Sequence, residues 1–134
     1  MIVVVDTNII FSSLLSHKTF MAEVLLNKNI QFISPNFLFI EVFKHKEKIL
    51  KYSKLSEDEL LELFNLLLSN IQFISSSALS SSAIQKAIDF CKNIDMKDVP
   101  FISLCVEYEA LLWSGDNKLK ISLSQNNFNN FFNP

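Results

Sequence analysis

Two aspartates follow short apolar segments near opposite ends of the sequence, where a carboxylate is a candidate metal ligand or catalytic group. Asp6 directly follows the apolar run Ile2–Val5, and Asp116 follows Leu111–Trp113 after a Ser-Gly pair. A run of β-branched residues without polar alternation predicts a strand covered on both faces, as in a parallel sheet. Ligands of such sheets bind beyond the carboxyl ends of the strands, so both aspartates are candidate site residues.

Two further acids lie beside or within apolar helical segments. Glu41 is the one charge in the segment 37–43, where a buried carboxylate needs a partner, a cleft or a cation. A position at the solvent edge of the helix explains it equally well. Asp98 precedes an apolar helical segment and has a structural explanation as the N-cap, which typically stabilises a helix by about 1 kcal/mol. Strand ends and following helix starts share one edge of a parallel sheet, so we expect all four acids to gather there.

A cluster of carboxylates at one edge has a definite chemistry. Crowded carboxylates repel one another, and unless a cation neutralises them some keep their protons through raised pKa values. Oxygen ligands of this kind suit hard divalent ions such as Mg²⁺ or Mn²⁺. A metal held there lowers the pKa of a bound water and stabilises the charge on a phosphodiester during displacement. The implied chemistry is metal-assisted hydrolysis of a phosphate ester.

Short strands alternate with helices along the chain, which predicts an α/β three-layer fold with a mainly parallel sheet. The predicted strands are 2–5, 31–34, 71–74 and 111–113, and the predicted helices are 8–15, 19–26, 36–51, 83–94, 98–108 and 118–124. One more helix begins at a capping box of Ser56 and Glu59. The serine-rich segment 75–82 is expected to be a loop, and 125–134 a small edge strand or a partly ordered tail. Residues 1–134 are expected to form a single domain.

The ordered set of acids resembles that of the PIN-domain nucleases, and the resemblance covers essentially the whole chain. That family opens with a hydrophobic strand ending in Asp-x-Asn, here Asp6-Thr7-Asn8. It then has a Glu in an early helix, here Glu41, and an Asp before a small apolar helix, here Asp98. Last comes a strand leading into Ser/Thr-Gly-Asp, here Ser114-Gly115-Asp116. Asp-x-Asn alone is common, and the resemblance depends on the four motifs in this order.

The resemblance implies a three-layer α/β/α PIN-like fold with a mainly parallel sheet of four or five strands. It implies a Mg²⁺- or Mn²⁺-dependent endoribonuclease, often the toxin of a VapBC-type toxin–antitoxin pair. On that model the four acids Asp6, Glu41, Asp98 and Asp116 hold metal and activate water. Asn8 and Ser114 orient these acids, and Asp95 is similar to an extra acid found in one branch of the family.

Charge and composition bear on the partners. The fourteen acids and twelve bases give a formal charge of −2, and every base is lysine, which argues against tight nonspecific phosphate binding. Many toxin members carry arginines, so RNA binding here must depend on lysine and backbone donors. Lys44, Lys48 and Lys51 are expected to share one helix face, as a stripe that contacts RNA phosphates or as a solvated helix end favourable to the macrodipole.

Other readings of the sequence remain open. A phosphatase or receiver-type domain would use Asp6 as a phosphorylated carboxylate, but Asn8 stands where the common phosphatase motif has a second acid. A catalytically silent PIN-like module would bind RNA or a protein with its acids serving as caps. The 49% hydrophobic content and thirteen phenylalanines predict an apolar surface for a homodimer or an antitoxin, especially across Leu55–Leu68. His17 and His45 are expected to have surface roles.

The remaining features predict a soluble, cytoplasmic protein. Cys91 and Cys105 lie in apolar stretches without CxxC spacing, so we expect reduced core cysteines. The N-terminal apolar run is interrupted by Asp6 and is not typical of a secretory signal, and no uncharged segment reaches the length of a membrane span.

Overall fold

The computed structural model describes residues 1–15 and 20–134. Within them the four strands β1 to β4 are Ile2–Val5, Gln31–Pro35, Ile71–Ile74 and Leu111–Trp113. The helices α1 to α8 are Thr7–Leu15, Phe20–Leu25, Phe37–Lys44, Lys46–Tyr52, Glu57–Leu68, Ser81–Phe90, Val99–Tyr108 and Asn117–Gln125. Two short 3₁₀ turns, Ser76–Ala78 and Met96–Asp98, precede α6 and α7. His17 and the first residue of the predicted helix 19–26 lie outside the described residues.

The four strands form one sheet in the order β3-β2-β1-β4, and every pairing is parallel. β1 is an interior strand, with Val3 opposite both Phe32 and Leu111. Val3, Val4 and Val5 are completely buried, which explains why this strand is apolar without alternation. The predicted α/β fold with a parallel sheet is confirmed.

The order of the strands creates a switch point beside β1. The chain moves outward from β1 to β2 and β3, then returns to place β4 on the other side of β1. Right-handed crossovers therefore put the helices before β3 on one face and those between β3 and β4 on the other. Accordingly, α7 packs on β1, β2 and β4 with α6 behind it, while α1 packs against α2 to α5. Such a switch point opens a crevice at the carboxyl ends of β1 and β4.

The helix predicted over 36–51 is wrong as a single element, because the structure divides it into α3 and α4 at His45. The backbone of His45 leaves helical geometry at φ −106° and ψ 12°, and its ring packs edge-on against Phe11 with centroids 5.4 Å apart. Ile49 of α4 is buried, and the Ser53 hydroxyl donates to the Leu14 carbonyl at 3.1 Å. These contacts with α1 stabilise a change of direction that local helical periodicity does not reveal.

Three smaller features of the structure agree more closely with the predictions from the sequence. The capping box of α5 is present, with Ser56 and Glu59 bonded reciprocally. In the serine-rich segment Ser75 caps the first 3₁₀ turn and Ser80 caps α6, so part of the predicted loop is helical. Near the C-terminus a single parallel bridge joins Phe131 to Leu112, which confirms a minimal strand-like contact at the β4 edge.

Candidate metal centre

Asp6 lies at the carboxyl end of β1 and is held by four neighbouring groups. Its backbone N–H donates to the Trp113 carbonyl at 3.0 Å, which continues the pairing of β1 with β4. Its side chain is only 7% exposed. Oδ1 accepts from the backbone N–H of Thr7 at 2.8 Å, and Oδ2 accepts from the Ser114 hydroxyl at 2.8 Å and from Asn8 Nδ2 at 2.9 Å. Both carboxylate oxygens therefore have a fixed orientation.

Asn8 and Ser114 tie the two strand ends together. Asn8 Nδ2 also donates to the Ser114 hydroxyl oxygen at 3.1 Å, and Asn8 Oδ1 accepts from the backbone N–H of Gly115 at 2.9 Å. The backbone N–H of Asp116 donates to Ser114 Oγ at 3.1 Å. The two residues that the resemblance names as orienting groups thus contact Asp6 directly, and their role in activity stays a prediction.

Glu41 reaches the same edge from α3. Its Oε1 accepts a hydrogen bond of 2.6 Å from the Thr7 hydroxyl, and its side chain is half-buried. The carboxylate therefore has a defined partner, and a position merely at the solvent edge of the helix does not describe it. Sequence reasoning gave Thr7 no role, although its place inside the Asp-x-Asn motif at the start of α1 was a signal.

Asp98 differs from its expected role as a helix cap. It lies at the junction of the 3₁₀ turn and α7 with helical backbone angles, and its side chain makes no capping hydrogen bond. Burial and then the charges of Asp6, Asp95, Glu41 and Asp116 raise the pKa of Asp98 from its ordinary 3.8 to about 7. Asp98 occupies the N-cap position of α7 as predicted, but the expected capping bond is not made, and Asp95 caps the turn that enters α7 instead.

Asp95 and Asp116 are the exposed members of the group. Asp95 Oδ1 accepts from the backbone N–H of Lys97 at 3.0 Å, and Asp116 Oδ1 caps α8 through the backbone N–H of Leu119 at 3.1 Å. Both charges contribute to the raised pKa of Asp98. The acids predicted from four separate segments are therefore close enough to affect one another electrostatically.

The protonation of Asp6 reflects two opposing effects. Burial raises its pKa from 3.8 to about 6, and the charges of Glu41 and Asp116 add to the rise. The hydrogen bonds from Ser114 and Thr7 stabilise the ionised form and lower the pKa. A cation beside Asp6 and Asp98 would favour both carboxylates in the ionised form.

The donor set fits a hard divalent cation in its chemistry, since it consists of carboxylate oxygens whose mutual repulsion a cation relieves. The positions of these oxygens, however, do not form a metal site. In the described ranges 1–15 and 20–134, no group of three or more His, Cys, Asp or Glu side chains is arranged so that it could hold a metal ion. Binding would therefore require the carboxylates to draw closer together.

The lysines and cysteines lie outside this hydrogen-bond network. Lys44 ends α3, whereas Lys48 and Lys51 belong to α4, so the single helix face predicted for the three lysines is wrong. All three are exposed. Cys91 and Cys105 are free and buried, which confirms that they are core residues, and burial raises the pKa of the Cys91 thiol to about 12.

Comparison with known proteins decides the family. The family model described as PIN domain matches residues 4–128. The chain belongs to the PIN-domain family. Members of this family are generally nucleases. Among curated proteins none matches the chain.

A solved structure shares the fold. It is the crystal structure of VapBC2 from Rickettsia felis bound to a DNA fragment from their promoter, with a TM-score of 0.68 and 20% sequence identity. The match covers 90% of this chain and 92% of that chain. Throughout the part of the chain that the structure describes, the helices are too short or too polar to cross a bilayer. The cellular location stays a prediction.

Proposed function

We propose that this PIN domain is an endoribonuclease that hydrolyses RNA phosphodiester bonds with Mg²⁺ or Mn²⁺. The supporting observation is that the charges of three acids from other segments, Asp6, Glu41 and Asp116, act on Asp98 near the switch point of the sheet. A crevice at this position is where open α/β sheets bind ligands. Nuclease activity is the general property of the family, and RNA as the substrate is our proposal.

The four acids would hold the metal, and Asn8 and Ser114 would keep the Asp6 carboxylate directed toward the crevice. When bound, the metal supplies an activated water and stabilises charge on the phosphodiester. The hydrogen bonds to Asp6 leave its carboxylate little freedom to rotate, so the protein orients this ligand before the substrate arrives. Lys44, Lys48 and Lys51 are proposed phosphate contacts near the end of the Glu41 helix and on the next one.

The test is cleavage of labelled single-stranded RNA by the purified full chain. We expect cleavage with Mn²⁺ or Mg²⁺, no cleavage in EDTA, and no cleavage by Asp6→Asn with either metal. Asp89→Asn is the matched control, because it removes one exposed acid of α6 by the same substitution and should cleave as the wild type does. Activity that persists in EDTA would rule out the metal mechanism, and cleavage of single-stranded DNA alone would rule out RNA as the substrate.

A catalytically silent binding module is the second candidate function. It is favoured by the finding that no group of acids among the described residues is arranged to hold a metal. A silent module requires no metal, so Mn²⁺ should then leave its melting temperature unchanged. A nuclease should instead gain stability as Mn²⁺ binds the folded state.

We also propose that a second copy of the chain or an antitoxin covers an apolar groove between α3, α4 and α5. The α3–α5 groove encloses about 360 Å³ and is lined mainly by apolar side chains, among them Leu14, Val42, Ile49, Leu60 and Phe64. Phe43 and Leu61 at its rim are 77% and 58% exposed, and exposed apolar patches of this kind mark protein interfaces. The VapBC2 structure, which is bound to a promoter DNA fragment, supports an antitoxin as one of these two candidate partners.

Light scattering on the purified chain distinguishes the two partners. If the wild type is a homodimer and Phe43→Ser dissociates it, the groove is assigned to a second copy. Ile121→Ser is the control, because it replaces another exposed apolar residue, on α8. A wild-type monomer would contradict the homodimer and leave the antitoxin as the proposed occupant. A small neighbouring reading frame encoding a DNA-binding protein would support that assignment.

A further inference from the structure

Thr7 contacts two of the four acids at once, through different atoms. Its backbone N–H donates to Asp6 Oδ1 at 2.8 Å, and its hydroxyl donates to Glu41 Oε1 at 2.6 Å. The second distance is typical of a hydroxyl bonded to a carboxylate. No other residue in the described ranges donates hydrogen bonds to both of these acids. Thr7 thus links the strand-end acid to the acid that arrives on α3.

The surroundings of Thr7 fix the direction of its hydroxyl. The side chain is 3% exposed and lies in the first turn of α1, which follows β1 after Asp6. The helix start is closed by the backbone bond from Ile9 N–H to the Asp6 carbonyl at 3.0 Å. A buried threonine with a stiff χ1 has few alternative positions for its hydroxyl. Water therefore competes little for the bond to Glu41.

Glu41 depends on this bond because its own helix does little to place it. The α3 helix is short, ends at Lys44 and exposes Ile40 and Phe43 beside Glu41. A glutamate side chain has three rotatable bonds, and its ordering costs conformational entropy. The Thr7 hydroxyl selects one orientation of Glu41, and in that orientation the Glu41 charge acts on Asp6.

We propose that Thr7 is a positioning residue, whose hydroxyl holds the Glu41 carboxylate at the place where it meets Asp6 around a divalent cation. This inference rests on the proposed function, because it presumes that the acids bind a metal. Residues that orient metal ligands typically change metal affinity by about 10- to 100-fold when they are removed. Thr7 does not touch the reacting atoms and is not a catalytic residue.

The experiment measures Mn²⁺ affinity of the metal-free full chain by calorimetry, with fluorescence of the single tryptophan, Trp113, as a second readout. Thr7→Val keeps the shape and removes the hydroxyl, and Thr7→Ser restores a hydroxyl. We expect Thr7→Val to bind Mn²⁺ about 10-fold or more weakly, and Thr7→Ser to retain most of the wild-type affinity. Ser13→Ala is the matched control, since it removes another buried hydroxyl of α1, which donates to the Ile9 carbonyl at 2.8 Å.

A role in stability alone predicts a different pattern. Thr7→Val and Ser13→Ala would then lower the melting temperature of the metal-free protein alike and leave Mn²⁺ affinity unchanged, which would overturn the inference. In a Glu41→Gln background, Thr7→Val should cause no further loss of Mn²⁺ affinity, because the two residues act as one unit. An additive loss would also overturn it. If the wild type binds no Mn²⁺ at all, the proposed function fails as well, and this outcome is separate from the others.

Discussion

Asp6 and Asp98 belong to one cluster of acids, yet the protein holds them in different ways. Asp6 is nearly fully buried and accepts hydrogen bonds from Thr7, Asn8 and Ser114. Asp98 is more exposed and makes no capping bond. The pKa of Asp98 nevertheless rises to about 7, whereas that of Asp6 rises to about 6.

The difference shows that hydrogen bonds, and not burial alone, set the charge of an acid in this crevice. Burial is the largest influence on both residues. For Asp6, hydrogen bonds oppose it by stabilising the ionised form, but for Asp98 every contribution raises the pKa. The hydrogen bonds therefore favour the ionised form of Asp6, whereas a bound cation would be the group that favours the ionised form of Asp98 near neutral pH.

The largest expected effect is on cleavage. If Asp98 serves the metal as Asp6 does, then Asp98→Asn should reduce metal-dependent RNA cleavage on the order of 100-fold or more, as loss of a charge-stabilising group does. Initial rates at saturating Mn²⁺ measure this, with Asp89→Asn as the reference variant. Full activity of Asp98→Asn would show that Asp98 does not contribute to cleavage and that the two acids differ in function.

The pH dependence of stability tests the comparison next. Both acids have folded-state pKa values above their ordinary 3.8, so between about pH 4 and pH 7 the folded state binds more protons than the unfolded state. The free energy of unfolding of the metal-free protein should then fall as pH rises through this window, by about 3 kcal/mol from Asp6 alone. Urea unfolding at a series of pH values measures it.

Substitution separates the two contributions to that pH dependence. Asp98→Asn should flatten the curve and stabilise the metal-free protein near pH 7, because the repelled charge is removed without loss of a capping bond. Asp6→Asn should also fold, but its free energy of unfolding should rise less than that of Asp98→Asn, since the new amide faces the Asn8 donor. A curve that stays unchanged in Asp98→Asn would contradict the raised pKa of Asp98.

The smallest effect is expected from Ser114→Ala. The variant loses the 2.8 Å bond to Asp6, which stabilises the ionised form, so the pKa of Asp6 should rise further. We expect a loss of about 1 to 3 kcal/mol in the free energy of unfolding above pH 7, and a smaller loss near pH 4. Equal losses at both pH values would mean that the serine packs against Asp6 without affecting its charge.

Much of the fold could be predicted from the sequence because its signals are local. The unbroken valine run of β1 predicts a strand buried on both faces, and the Ser56 and Glu59 pair predicts the start of α5. The break at His45 could not be predicted, because it depends on contacts with α1 that are distant in sequence. The candidate site was only partly predictable. The ends of the strands show which residues lie at the edge of the sheet, but they do not show which hydrogen bonds these residues make there.

The sequence by itself determined which residues stand at the carboxyl edge of the sheet: a strand ends where its apolar run ends, and the next polar residue must lie beyond it. Only the tertiary structure decided how these residues act on one another. Asp6 and Ser114 are 108 residues apart in the chain and Thr7 and Glu41 are 34 apart, so their bonds exist only once the strands pair and α3 packs. In the same packing Asp98 does not make the capping bond that the sequence predicts. Hydrogen-bond partners and electrostatic coupling depend on distances in space, which the local sequence pattern does not specify.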